Sequence, residues 1–174
     1  MSIEIVNDLN LPEVKLIKNI YFDDERGYFK KIFIESLKKE LNFEVDEVYY
    51  SINNKSVIRG IHYQKQPSPI SKIVTCIEGK VLDFVIDLRE DSPNYKKYTT
   101  LTLQRDENIS IFIPNGFGHG FSVLENNTII NYLQSGNYDP ESESGINPLS
   151  IKIDWLVDNP ILSDRDISLP GINT

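Results

Sequence analysis

The chain has 174 residues, of which 40% are apolar and 25% are charged, a composition typical of a globular protein with a sizeable core. Its net charge of −8 and its pI near 4.8 argue against nucleic acid as the main partner, because phosphate binding needs a basic surface. A small anionic ligand is compatible with this charge, since it needs only a few well-placed Arg and Lys side chains.

The cysteine content and the N-terminus bear on location. Cys76 is the only cysteine, so the chain has no internal disulfide and suits a reducing compartment. It lies in the apolar run KIVTCI (72–77), where a buried thiol is expected. The opening MSIEIVNDLN lacks the basic and apolar regions of a signal peptide, and no apolar stretch reaches membrane-spanning length. We therefore expect a cytoplasmic protein with no membrane partner.

The pattern of apolar residues predicts one early helix followed by many short strands. FIESLKKELNF (33–43) spaces Ile34, Leu37 and Leu41 as on one helix face. The predicted strands are SKIVTCI (71–77), VLDFVIDL (81–88), ISIFIP (109–114), GFSVL (120–124) and TIINYLQ (128–134). In 81–88 the even-numbered positions are all apolar, whereas the odd-numbered positions include Asp83 and Asp87.

This arrangement predicts a mainly β sandwich or barrel with a few short helices. We expect a single domain over residues 1–174, with the core barrel at about residues 45–135. The Pro- and Asp-rich segment 136–174 shows little periodicity and is expected to wrap over the barrel as loops and short helical turns.

Two histidines are the first candidates for chemistry. His62 lies in VIRGIHYQKQ (57–66), where regular alternation would leave polar groups on both faces of a strand. If Arg59 and His62 both face a ligand, the strand must bulge or bend at Gly60. Taken alone, His62 fits a half-buried, hydrogen-bonded histidine better than a catalytic one. His119 lies in IPNGFGHGFSVL (113–124), whose glycines suit either a ligand-binding loop or a tight corner.

Two chemical roles are open to these histidines. A metal site would need further ligands, but Gln64 stands two positions after His62 and there is no third histidine. A His-His-carboxylate site with Asp83 or Glu78 is an alternative, although acid–base chemistry fits the residues better. The candidate partners of His62 in such chemistry are Lys72, Asp83, Tyr132, Tyr138 and Asp166, each of which could also have a purely structural role.

Six segments together resemble the dTDP-4-dehydrorhamnose 3,5-epimerase family, in family order and spacing over nearly the whole chain. They are DERGYFKKIF (24–33), VIRGIHYQ (57–64), KIVTCIEGKVLDFVIDLREDSPNY (72–95), FIPNGFGHGF (112–121), YDPESESGI (138–146) and IDWLVDNPILSDRD (153–166). The resemblance implies a cupin-like jelly-roll fold, a homodimer, and epimerisation of a nucleotide-linked 4-keto-6-deoxy sugar without a metal or other cofactor.

The resemblance also implies roles for individual residues. A ketone at C4 acidifies the protons on C3 and C5, so inversion needs a base on one face, an acid on the other and a cation at the C4 oxygen. By resemblance His62 is the base, Asp166 its carboxylate partner, Lys72 the cation and Tyr132 the acid. The implied substrate-binding set is Arg59, Arg26, Phe29, Lys31, Glu47, Gln64, His119, Tyr138 and Asp83.

Within that set, Arg59, Arg26 and His119 match positions near the sugar and diphosphate, and Phe29 could stack near the nucleotide. The sequence departs from the family pattern at the two positions expected to bind the nucleobase. Lys31 stands where a Glu is expected, and Glu47 aligns with an expected Gln. This pair could satisfy thymine, guanine or cytosine. The sequence therefore leaves three nucleotides open for the substrate, which would be a dTDP-, GDP- or CDP-linked hexose or heptose. Inversion at C3, at C5 or at both is open as well, with the product used for a surface polysaccharide.

The same residues argue against two alternative functions and suggest how the chain assembles. A sugar-nucleotide 3,4-ketoisomerase would carry a second histidine where this chain has Gln64. A non-catalytic sugar-nucleotide-binding barrel would have no need of the proton-transfer residues. In the homodimer that the resemblance implies, MSIEIV (1–6), Arg26 and Phe29 are expected to serve the neighbour's site.

Overall fold

Short strands are the main secondary structure of the computed structural model, which describes residues 3–8 and 10–172. The strands are β1 (Glu4–Asn7), β2 (Lys15–Lys18), β3 (Ile20–Asp24), β4 (Gly27–Lys31), β5 (Glu47–Asn53), β6 (Ile58–Gln64), β7 (Ser71–Glu78), β8 (Lys80–Asp87), β9 (Tyr98–Gln104), β10 (Ile109–Ile113), β11 (Phe117–Val123), β12 (Thr128–Ser135) and β13 (Glu143–Gly145). The helices are α1 (Glu35–Leu41) and α2 (Asp164–Ser168), with 3-10 turns at Arg105–Glu107 and Pro148–Ser150.

The strands form two large antiparallel sheets and one separate hairpin. The six-stranded sheet has the order β1-β2-β10-β7-β12-β5, and the five-stranded sheet has the order β13-β6-β11-β8-β9. The hairpin β3-β4 stands apart from both. Since most spatial neighbours are not consecutive in the chain, the connections cross between the sheets, as in a jelly roll. The predicted mainly β, cupin-like sandwich is confirmed, as are the helix and the five strands proposed from periodicity.

The main core lies between the two sheets, where alternate side chains of facing strands meet. β8 shows the alternation clearly: Val81 and Val85 belong to this core, while Phe84 and Ile86 lie on the opposite face. That opposite face is covered by the segment after β13, whose Trp155 packs against Phe84 with ring centroids 5.5 Å apart. Both faces of the five-stranded sheet are therefore buried at β8, and the segment that ends in α2 is held against it.

The outer face of the six-stranded sheet is only partly covered. α1 buries Leu37 against this face together with Phe43. The helix ends at Leu41, and Asn42 after it takes the left-handed conformation that often closes a helix. Cys76 is buried, as expected. Among the described residues, no helix has the length and apolar character that crossing a membrane would require.

Four strands before residue 35 were not predicted from periodicity. β1 and β2 extend the six-stranded sheet beyond the 45–135 core proposed above, and Leu11 and Val14 beside them are fully buried. Each of the four strands has only four or five residues, too few to show a clear period of two. Of the MSIEIV segment, residues 1 and 2 lie outside the described residues, while β1 pairs with β2 of the same chain.

A bulge in β6 places the polar residues of VIRGIHYQKQ. His62 pairs with His119 of β11, but Arg59 pairs with Phe121, so β6 uses one more residue than β11 over this stretch. Gly60 lies within the bulge at φ +112°, and a Cβ there would come within 2.6 Å of the Gly120 Cα. The predicted bulge at Gly60 is confirmed, and it turns Arg59 and His62 towards the same cavity.

The bulge leads to a test of stability. We expect Gly60→Ala to lower the free energy of unfolding by roughly 3 kcal/mol or more, because the added methyl group both strains the backbone and displaces β11. Gly27→Ala is the matched control, since Gly27 has φ +113° with nothing within 4 Å of the position that an added methyl group would take. It should cost only roughly 1–2 kcal/mol. Urea denaturation measures both, and equal losses would contradict the proposed close packing at Gly60.

Candidate active site

A cavity of about 450 Å³ opens between the two sheets, with walls from both sheets and from α2. Its lining residues are Glu47, Tyr49, Ser51, Arg59, His62, Tyr63, Gln64, Ile70, Lys72, His119, Gly120, Phe121, Tyr132, Gln134, Tyr138, Glu143, Ser163, Arg165 and Asp166. All four residues predicted to be catalytic are in this set. His62 comes from the five-stranded sheet, whereas Lys72 and Tyr132 come from the six-stranded sheet. A ligand lying between the sheets would thus have these groups on opposite sides.

His62 forms a close pair with Asp166, 104 residues further along the chain. The His62 Nε2 lies 2.6 Å from the Asp166 Oδ1. Asp166 is held in the first turn of α2 by its backbone N–H, which donates to the Ser163 Oγ at 3.1 Å. Burial alone would raise the pKa of Asp166, but its hydrogen bond with His62 and the His62 charge outweigh burial and leave the pKa lowered. Asp166 is therefore an ionised acceptor for the N–H of the His62 Nε2.

A second His–carboxylate pair lies beside the first. The His119 Nε2 is 2.8 Å from the Asp83 Oδ2, and Asp83 is completely buried on the core side of β8. The Asp83 Oδ1 has no hydrogen-bond partner among the described residues. Asp83 does not itself line the cavity but supports His119, which does. No group of three or more His, Cys, Asp or Glu that could hold a metal ion occurs within residues 3–8 and 10–172.

Lys72 and Tyr132, on the opposite wall, both have pKa values that are shifted strongly by burial. Burial lowers the pKa of Lys72 to about 8, and the charge of Glu143 acts in the opposite direction. Burial raises the pKa of Tyr132, while a hydrogen bond from Ser51 acts against the rise. The Tyr132 ring stacks on Tyr49 with centroids 4.8 Å apart, which fixes its plane. At neutral pH the wall therefore presents an ammonium group and a protonated phenol.

Glu143 and Arg165 are the two charged lining residues that were not predicted from the sequence. Glu143 accepts a hydrogen bond from the Tyr138 hydroxyl at 2.7 Å and forms an ion pair with Arg165. The ion pair connects β13 to α2 directly beside Asp166. Both residues lie in segments that resemble the family, but neither sits in a periodic pattern, and only the pairing of β13 with β6 brings Glu143 to the cavity.

Three of the predicted binding residues at the mouth of the cavity are engaged in local contacts. The Glu47 carboxylate accepts the backbone N–H of Tyr138 at 2.6 Å. The Gln64 side chain donates to the Ser68 carbonyl at 2.6 Å and accepts from the Asp139 N–H at 3.0 Å. Gln64 thereby fixes the loops that border the cavity. Arg59 and His119 line the cavity as well.

The remaining three predicted binding residues lie elsewhere in this chain. Arg26, Phe29 and Lys31 belong to the hairpin β3-β4 and do not line the cavity. Arg26 pairs with Asp24, and the Phe29 ring is 54% exposed beside Phe22. Lys31 and Glu47 are therefore not brought together at the cavity of a single chain.

Comparison with known proteins identifies the family. The family model described as dTDP-4-dehydrorhamnose 3,5-epimerase matches residues 8–174. The dTDP-4-dehydrorhamnose 3,5-epimerase of Shigella flexneri is 36% identical over 165 residues, covering 91% of this chain and 90% of that protein. The dTDP-4-dehydrorhamnose 3-epimerase of Streptomyces niveus is 36% identical over 150 residues, covering 82% of this chain and 72% of that protein.

A solved structure shows the same fold over the full length. It is the dTDP-6-deoxy-D-glucose-3,5-epimerase of Legionella pneumophila in complex with dTDP-4-keto-L-rhamnose, with a TM-score of 0.89 and 29% identity. The alignment covers 99% of this chain and 100% of that one. On the match of the family model and of these relatives, the chain belongs to the dTDP-4-dehydrorhamnose 3,5-epimerase family.

Proposed function

We propose that the protein is an epimerase that inverts C3, C5 or both in a nucleotide-diphosphate-linked 4-keto-6-deoxy sugar. The type reaction is the conversion of dTDP-4-dehydro-6-deoxyglucose to dTDP-4-dehydrorhamnose, for surface polysaccharide synthesis. One observation carries the proposal: the His62–Asp166 pair lies on one wall of a cavity whose other wall presents Lys72 and Tyr132. This arrangement supplies a base, a cation and an acid to a ketone bound between the sheets.

The reaction begins at His62. Its free ring nitrogen removes the proton from C3 or C5, and the electron pair of that C–H bond moves towards C4 to form an enolate. Asp166 keeps the ring in one orientation and stabilises the imidazolium that forms. The Lys72 ammonium stabilises the negative charge that develops on the C4 oxygen, in a cavity where burial strengthens the attraction.

Tyr132 completes the inversion. Its hydroxyl proton is transferred to the same carbon from the opposite wall, the C4 carbonyl forms again, and the carbon is left with inverted configuration. The raised pKa of Tyr132 means that it still holds this proton at neutral pH. A second round at the other carbon would use the same residues in a new pose of the sugar, once His62 has released its proton to solvent and Tyr132 has regained one.

The nucleotide part of the substrate fits the remaining lining residues. We assign Arg59 and His119 to the diphosphate, because a guanidinium group donates two parallel hydrogen bonds to phosphate oxygens. Glu47 and Tyr138 border the cavity where a base would lie. The naming of the relatives supports dTDP, whereas Lys31 and Glu47 in place of the family's Glu and Gln leave GDP and CDP as alternatives. The Streptomyces relative, named a 3-epimerase, supports single-centre inversion as an alternative outcome.

We further propose a homodimer that forms on the open face of β5. Val48, Tyr50 and Ile52 lie on this face and are 62%, 66% and 59% exposed. Such a row of apolar residues on an edge strand is typical of a surface that another chain covers. The opposite face of the same strand, with Glu47, Tyr49 and Ser51, lines the cavity. A second copy on β5 would lie next to the cavity, where its Arg26, Phe29 and Lys31 could reach the nucleotide.

The proposed location is the cytoplasm, where nucleotide sugars are made, and no nucleic acid partner is proposed. The support comes from the single buried thiol of Cys76 and from the net charge of −8.

Proton abstraction is tested directly by isotope exchange. In deuterated water with dTDP-, GDP- and CDP-linked 4-keto-6-deoxy sugars, we expect deuterium at C3 or C5 of one of them, measured by NMR. His62→Ala should lower the rate by roughly 10²–10⁴-fold, since the general base is lost. Asp166→Asn should also lower it strongly, whereas Asp164→Asn, an exposed neighbour in α2, should not. No deuterium with any of the three nucleotides would overturn the proposed epimerase.

The pKa of Lys72 predicts how the rate depends on pH. The ammonium form stabilises the enolate, so kcat/KM should fall as the pH rises through about 8, where Lys72 loses its proton. Glu143→Gln removes a charge that holds this pKa up, so the fall should move to lower pH. Lys72→Arg, which keeps its charge, should lose the fall near pH 8. Steady-state rates from pH 6 to 10 give the profiles, and an unchanged profile in both variants would exclude Lys72 as the source.

The dimer is tested by its mass in solution. Wild-type protein should have twice the chain mass by light scattering after size exclusion. The double variant Tyr50→Asp/Ile52→Asp should be monomeric and bind the substrate nucleotide more weakly, because two buried carboxylates repel across the interface. Tyr95→Asp, an exposed aromatic in the β8–β9 loop, is the control and should stay dimeric. A monomeric wild type, or a dimeric double variant, would contradict the proposed interface.

A further inference from the structure

Hydrogen bonds link Arg59 to Asn53 and Asn53 to Ser51, and Ser51 lies diagonally beside Tyr132 on the cavity face. We propose that these bonds, completed by a hydrogen bond from the Ser51 hydroxyl to the Tyr132 oxygen, form a relay that aims the Tyr132 hydroxyl proton into the cavity and stabilises the phenolate left after that proton is transferred. Ser51 and Asn53 are then positioning residues that act through Tyr132. The inference rests on the proposed epimerase function and assigns roles to two residues outside its catalytic set.

The contacts of Asn53 form the centre of the relay. The Arg59 Nε donates to the Asn53 Oδ1 at 2.6 Å, and the Asn53 Nδ2 donates to the Ser51 Oγ at 3.0 Å. The same Nδ2 faces the Thr128 carbonyl at 3.1 Å, which ties the amide to β12, and the Ser51 carbonyl at 3.2 Å, so its two protons are shared among three acceptors. Asn53 is only 2% exposed, so water does not compete for these bonds.

These partners fix the direction of every hydrogen bond in the chain. A guanidinium group only donates, so the amide atom that faces Arg59 must be the oxygen, and the amide nitrogen must face Ser51. The Ser51 Oγ therefore accepts from Asn53. A hydroxyl has a single proton, and the Ser51 proton remains available for a different acceptor.

Tyr132 is that acceptor. In the pairing of β5 with β12, Tyr49 lies opposite Tyr132 and Ser51 lies opposite Ile130, so Ser51 and Tyr132 are diagonal neighbours on the cavity face. Burial raises the pKa of Tyr132, and Ser51 acts to lower it, as a donor to the phenol oxygen does. Arg59 acts in the same direction through its charge. With Ser51 donating to its oxygen, Tyr132 directs its own proton away from Ser51 and into the cavity.

The relay then takes part in the second half of the reaction. The Tyr132 O–H bond breaks as a C–H bond forms on the enolate carbon, using the electron pair of the enolate double bond. The negative charge passes from the C4 oxygen to the Tyr132 oxygen, where the Ser51 proton meets it. Removal of a proton by His62 on the other wall does not use the relay.

This separation predicts which step fails when the relay is broken. His62 would still remove a proton and, after exchange with solvent, return deuterium to the same face. Inversion would be slowed because Tyr132 is misdirected and its phenolate is unsupported. The test therefore compares the amount of inverted product with the amount of substrate that gains deuterium without inversion. Both amounts are measured in the same sample, so their ratio does not depend on enzyme concentration.

The test uses two variants and one rescue in deuterated water, with the substrate that the wild type accepts. Ser51→Ala removes the final donor. Asn53→Asp keeps the shape but replaces the donor to Ser51 with an acceptor, so the Ser51 proton turns away from Tyr132. In both we expect the ratio to fall by about tenfold, with KM nearly unchanged. Ser51→Thr, which keeps the hydroxyl, should restore the wild-type ratio.

Each outcome has one meaning. A wild-type ratio in Ser51→Ala and Asn53→Asp would overturn the relay. Equal loss of exchange and inversion would also overturn it, because a general structural defect slows both steps together. Thermal melting of each variant shows that the protein measured is folded. Absence of deuterium in the wild type would instead overturn the proposed function, and the relay with it.

Discussion

The interaction on which the site depends is the pair between His62 and a buried carboxylate, Asp166. An ionised carboxylate is costly to bury unless charged or N–H groups surround it. Here the His62 ring meets one oxygen at 2.6 Å, and the backbone N–H of Gly60 approaches the other at 3.4 Å. The same pair orients the proposed base and holds α2 over β6, so local structure and the proposed chemistry depend on one contact.

The two sheets divide the chemistry between them. The five-stranded sheet brings the base, with the bulge at Gly60 turning Arg59 and His62 to one side. The six-stranded sheet brings Lys72 and Tyr132 from the adjacent strands β7 and β12. Because the main core fills the rest of the space between the sheets, their separation is fixed by packing and does not rely on flexible loops. In the proposed reaction, proton removal and proton return take place on opposite walls of a rigid cavity.

The sequence predicted those parts of the molecule that follow from periodicity or from dense motifs. Alternation in 81–88 gave both faces of β8, and the family resemblance brought His62, Lys72, Tyr132 and Asp166 together. The short strands β1–β4 were not predicted, because four or five residues are too few to show a clear period of two. Another reason explains why four residues of the site were not predicted: Ser51, Asn53, Glu143 and Arg165. Their roles depend on register and on which atom donates to which, and such long-range geometry leaves no local pattern in the sequence.

The separation of His62 and Asp166 along the chain has a consequence for biosynthesis. The ribosome completes β6 and every strand of both large sheets before the codon for Asp166 is read. A nascent chain therefore contains every strand of the sandwich before it contains the carboxylate proposed to orient its base. Full activity by the proposed mechanism then requires α2 to fold back onto β6 after the strands have been made.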